Sequence, residues 1–95
     1  MTVRIVIAED EAIIRLDLRE TLVEEGYEVV GEAANGDEAI TLIRQLRPDL
    51  AILDIKMPKM NGIEVLQRVK ETHPDIDVIM ITGLNQIETA VQAMK

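Results

Sequence analysis

Apolar residues along this chain fall into two rhythms. Val3 to Ala8 ("VRIVIA"), Leu50 to Leu53 ("LAIL") and Val78 to Ile81 ("VIMI") are short runs with almost no polar break. Such runs suit strands covered on both faces, as in a parallel sheet. Tyr27 to Ala33 ("YEVVGEA") alternates in part, as an edge strand does. Between these runs the spacing lengthens. Ala39, Leu42, Ile43 and Leu46 follow i, i+3, i+4, i+7, as do Ile87, Ala90, Val91 and Met94. Ile63, Val65, Leu66 and Val69 mark another helix. The first helix, near Glu11 to Glu25, carries two apolar rows: Ile14, Leu18, Leu22 and Ala12, Leu16, Val23. Two rows predict packing against more than one neighbour.

Punctuation supports these boundaries. Gly26 can end the first helix in a left-handed conformation. Asn35-Gly36 precedes the second, with Asp37 and Glu38 near its positive end. Pro48 and Pro74 follow the second and third. The predicted order is β-α-β-α-β-α-β-α. Alternation with short connections implies an α/β domain with a parallel sheet and right-handed crossovers. The 95 residues make one small domain, residues 1–95.

Composition narrows the picture. Tyr27 is the single aromatic residue, so the core is aliphatic. A formal charge of −8 disfavours direct contact with nucleic-acid phosphates. There is no cysteine, which excludes disulfides and thiolate metal sites. No apolar run is long enough to span a membrane, and a signal-peptide pattern is missing. The expectation is a cytoplasmic protein.

The chemistry gathers where strands end. Ligands of open α/β sheets bind beyond the carboxyl ends of strands. Glu9, Asp10 and Glu11 follow the first strand, Asp54 the third, and Thr82 and Gly83 the fourth. If those strands are neighbours, the acids and the Thr hydroxyl converge. Clustered carboxylates repel unless a cation or proton relieves them. All-oxygen ligands suit Mg²⁺ or Mn²⁺. A metal on Glu9, Asp10 and Asp54 would also neutralise an incoming phosphoryl group. Asp54 could then form an aspartyl phosphate, with Thr82 donating to a phosphoryl oxygen. The plainer alternatives are helix-start charges for the first acids, a strand end for Asp54 and an ordinary turn for Thr82-Gly83. Arg15, Arg19, Arg44 and Arg47 read as solvated helix charges, and Asn61-Gly62 as loop geometry.

Three stretches, "VIAEDEA", "LDIKMPKMNG" and "ITG", together resemble the receiver domain of two-component response regulators, including the chemotaxis regulators. The resemblance implies a flavodoxin-like three-layer sandwich, here four strands and four helices in sheet order 2-1-3-4. It implies that Asp54 is phosphorylated by a histidine kinase or phosphotransfer protein. Glu9 and Asp10 match the acidic pair that holds Mg²⁺, and the backbone carbonyl of Lys56 matches the remaining protein ligand. Thr82 matches the switch hydroxyl. A receiver phosphorylates and dephosphorylates only itself and is not a metabolic enzyme. Residues Glu9 to Ala33 also look like receivers joined to RNA-binding antitermination domains.

The family pattern continues past the fourth helix into a fifth strand, ending in a Lys-Pro pair, and a fifth helix. This chain ends at Lys95, so the expectation is a receiver truncated at its C-terminal side. Self-association through the exposed fourth strand or first helix is then expected. The competing function is a self-associating or protein-binding module without a functional switch. A phosphohydrolase with an Asp nucleophile fits less well. Such enzymes place a second Asp two residues on, where this chain has Lys56.

Overall fold

The computed structural model describes residues 2–82 and residue 92. Its elements are β1 (Arg4–Ala8), α1 (Ala12–Glu24), β2 (Glu28–Ala33), α2 (Gly36–Leu46), β3 (Leu50–Asp54), α3 (Gly62–Thr72) and β4 (Asp77–Ile81). All three strand pairings are parallel, and the order is β2-β1-β3-β4. The expected sheet is therefore present, with three helices among the described residues. The fourth predicted helix, with Ile87, Ala90, Val91 and Met94, lies outside them, as does Gly83.

The unbroken apolar strands are explained by burial on both faces. Side chains alternate along a strand, so neighbours in sequence enter different cores. Val6, Ala8, Ala51 and Leu53 pack with Ala39, Ile40 and Ile43 of α2 and Val65 and Val69 of α3. Ile5, Ile7, Leu50 and Ile52 pack with Leu18 and Leu22 of α1. The sheet is the middle layer of three.

Two helix faces differ from the spacing-based expectation. The Ile14, Leu18, Leu22 row of α1 faces the sheet, but Leu16 and Val23 are about half exposed, at 50% and 52%. On α3, Val65 and Val69 are buried while Ile63 turns outward. Spacing finds the rows; only the sheet decides which row it covers.

Helix ends follow local chemistry. Gly26 adopts φ +92°, donates to the Val23 carbonyl at 3.0 Å, and Tyr27 donates to Leu22 at 3.0 Å. This pair of bonds is a Schellman motif, in which a left-handed residue closes the last turn. Tyr27 and Leu22 share the α1-side core, supplying its usual apolar contact. At the end of α2, Arg47 takes the left-handed conformation with φ 45°, one residue before Pro48.

Candidate functional site

Register and alternation place two acids together. Ala8 pairs with Leu53, so Glu9 stands level with Asp54 at the carboxyl edge of the sheet. Glu9 follows Ile5 and Ile7 at two-residue steps, and Asp54 follows Leu50 and Ile52 in the same way. Both acids are therefore in phase with the α1-side core. Glu9 is 1% exposed and Asp54 5%. Asp10 is exposed beside them. One carboxylate oxygen from each of Glu9, Asp10 and Asp54 lies within 4.8 Å of the other two.

Each buried acid has a backbone donor. The Glu11 amide donates to Glu9 Oε2 at 3.0 Å, and the Lys56 amide to Asp54 Oδ1 at 3.2 Å. These bonds do not offset the crowding at Glu9. Burial pushes its carboxyl up to about 7. The Glu11 amide opposes that rise, while the Asp10 and Asp54 carboxyls add to it. A proton or a cation relieves such a cluster. Three carboxylates converging through oxygen alone fit a hard divalent ion, so the donor set suits Mg²⁺.

Asp54 is held by its surroundings. It pairs with Ile81, and the Ile55 amide donates to the Ile81 carbonyl at 2.9 Å. Thr82, exposed, follows immediately, so the sheet brings it to the same edge. Lys56 lies two residues beyond Asp54 with an exposed side chain. Gly62 opens α3 directly against β3. A Cβ there would overlap the Asp54 carbonyl, and Gly62 donates to the Ile55 carbonyl at 3.1 Å. Gly36 meets the Met60 backbone in the same close way. Residues 55–61 are thus wedged between two helix starts.

Asn61-Gly62 is accordingly more than loop geometry: Asn61 caps α3 and Gly62 admits its approach to Asp54. Arg15 also departs from expectation. It is no solvated helix charge, since its Nη1 donates to the Glu9 carbonyl at 2.6 Å. Among the described cavities, a cleft of about 570 Å³ lies at the other end of the sheet, by Asp49, Leu50 and Asp77. It contains none of the clustered acids.

The sequence matches the response regulator receiver domain over residues 5–95. The chain belongs to that family. Its relatives agree. It is 45% identical over 92 residues to the transcriptional regulatory protein PdtaR of Mycobacterium tuberculosis, covering 95% of this chain and 43% of that protein. The chain thus spans less than half the length of that relative. The receiver domain of AraT from Geobacillus stearothermophilus superposes with a TM-score of 0.80 at 38% identity, covering 99% of this chain and 74% of that one. A CheX–CheY–BeF₃–Mg²⁺ complex from Borrelia burgdorferi gives a TM-score of 0.82 at 29% identity, covering 97% and 70%. Membership makes this chain a module of phosphorylation-dependent signalling. No helix among the described residues is long and apolar enough to cross a membrane.

Proposed function

We propose that this receiver domain accepts a phosphoryl group on Asp54 from a histidine kinase or phosphotransfer protein. The observation that carries the reading is the convergence of Glu9, Asp10 and Asp54 within 4.8 Å. Glu9, Asp10, Asp54 and the backbone carbonyl of Lys56 would hold Mg²⁺. Bound there, the ion supplies charge neutralisation for the incoming phosphoryl group. The complex of the Borrelia relative, which contains BeF₃ and Mg²⁺, supports this assignment.

The chain's own part is positioning. One Asp54 carboxylate oxygen attacks phosphorus, and the bond from phosphorus to the donor imidazole nitrogen breaks. The electron pair stays on that nitrogen, and because the ring's other nitrogen carries a proton, the imidazole leaves neutral. The Lys56 amide orients the Asp54 carboxylate. Thr82 donates its hydroxyl to a phosphoryl oxygen and so couples the new charge to the end of β4. Beyond self-phosphorylation and self-dephosphorylation the domain turns over no substrate. We place it in the cytoplasm, where such donors act. The name of the Mycobacterium relative supports a wider protein that controls transcription.

Incubation with Mg²⁺ and acetyl phosphate should add one base-labile phosphoryl group by intact mass, and Asp54→Asn should abolish it. A gain that persists in Asp54→Asn would remove Asp54 as acceptor. Absence of gain in a folded wild-type chain would remove the phosphorylation reading. A second reading, a protein-binding or self-associating module without a switch, is favoured by exposed Ile13, Leu16 and Val23 on α1. A concentration-dependent mass in sedimentation, lost in Leu16→Lys, supports self-association; one sharp monomer counts against it.

A further inference from the structure

The start of α1 lacks a side-chain cap. Glu11 occupies the N-cap position in an extended conformation, and no side chain bonds to the first turn from there. Other contacts tie this turn down. The Glu9 carboxylate accepts from the Glu11 amide at 3.0 Å. The Arg15 amide donates to the Glu11 carbonyl at 2.9 Å. The Arg15 side chain then reaches back to the Glu9 carbonyl at 2.6 Å. Arg15 therefore grips both ends of the Glu9–Glu11 turn, once with its backbone and once with its guanidinium.

That guanidinium is itself braced. Its side chain is only 22% exposed, and its Nε lies 3.8 Å from Glu32 Oε1. Arg19 Nε lies 3.3 Å from the other oxygen of the same carboxylate. Glu32 sits on β2 opposite Ile7, and the next carbonyl, of Ala33, accepts the Glu9 amide at 3.0 Å. Glu9 is thus held at its amide by β2, at its carbonyl by Arg15 and at its carboxylate by the Glu11 amide.

We propose that Arg15, braced by Glu32, is a positioning residue for the cation site. By fixing the Glu9–Glu11 turn it keeps the Glu9 and Asp10 carboxylates grouped with Asp54 before the ion arrives. The proposal rests on the metal reading above. Two effects of Arg15 oppose each other. Its positive charge near the acids repels a cation. Its hydrogen bond to the turn removes ordering that the ion would otherwise have to impose. A short charge-assisted bond to a backbone carbonyl acts at contact, whereas the charge is shared with Glu32 and screened by salt. Geometry therefore wins, and removal of Arg15 weakens cation binding although it removes a repulsive charge.

The test is the Mg²⁺ dissociation constant of the unphosphorylated chain, read from backbone amide NMR shifts of residues 9–11 at 0.15 M salt. Thermal unfolding by circular dichroism verifies that each variant is folded at the titration temperature. Arg15→Gln should bind about tenfold more weakly. Arg15→Lys keeps the charge but loses the forked geometry, and should also bind more weakly. Glu32→Gln should show a smaller loss. Equal or tighter binding by Arg15→Gln would overturn the proposal; if that variant does not fold, unchanged affinity in Arg15→Lys does so instead. A wild-type chain without Mg²⁺-dependent shifts at residues 9–11 sinks the metal reading and this proposal together. A responsive wild type with an indifferent Arg15 variant sinks the positioning role alone.

Discussion

The helix starts of this domain are built in two ways. α2 and α3 begin on Asn-Gly steps. Asn35 accepts from the Glu38 amide and Asn61 from the Glu64 amide, each at 3.0 Å. Glu38 also reaches back to the Ala34 amide at 3.0 Å, completing a reciprocal cap. Both helices carry acids in their first turn, where the helix dipole favours them. α1 has neither device. Its leading turn carries the buried Glu9 and the exposed Asp10 instead. Ordinary capping chemistry serves where a helix only has to begin. At α1 the same few residues have to present negative charge, and a buried carboxylate and Arg15 hold the turn.

The largest test of this contrast lies at α3. Gly62→Val would drive a side chain into the Asp54 carbonyl. The cost expected is about 3 kcal/mol or more, since backbone cannot yield as a flexible side chain does. Urea unfolding measures it; a midpoint near wild type would show that α3 and β3 can separate freely.

Next in size is the pH response of Glu9. Its folded carboxyl titrates near 7, above the ordinary 4.5 of an exposed Glu. Between those values the folded chain binds more protons than the unfolded one. Stability therefore falls as pH rises through that window, by up to about 3 kcal/mol without divalent cations. Glu9→Gln should flatten that part of the profile. Melting curves from pH 4 to 8 in chelator decide it, and a wild type equally stable at both ends would refute the burial argument.

The smallest effects compare the caps directly. Asn61→Ala should cost about 1 kcal/mol through loss of its bond to Glu64. Glu11→Ala should change stability by less than about 0.5 kcal/mol, because its side chain caps nothing. Equal losses would erase the distinction between the two kinds of start.

Much of this architecture was legible before folding. The unbroken apolar runs announced β1, β3 and β4, because strands covered on both faces need no polar alternation. Asp54 was legible because an acid closing an apolar run asks for a reason. Its partners were legible because strand ends of one parallel sheet share an edge. The role of Arg15 was not. An Arg on a helix ordinarily faces water, and its bond to the Glu9 carbonyl exists only once the turn has formed. Gly62 was hidden for a similar reason, since its neighbour is backbone from a strand eight residues earlier. Leu16, Val23 and Ile63 show the limit of periodicity, which counts apolar rows without knowing how many the fold will cover.

The sheet also partitions the interior. Val6 and Ile7 are joined by one peptide bond, yet they belong to separate apolar compartments. Among the described residues, buried side chains facing α2 and α3 and those facing α1 fall into separate apolar clusters, so substitutions well apart on the two sides should add in cost. Glu9 and Asp54 are in phase with the α1 compartment alone. The acidic edge thus takes its apolar support from the α1 side, while α3 on the other side meets it through backbone, where Gly62 lies against the Asp54 carbonyl.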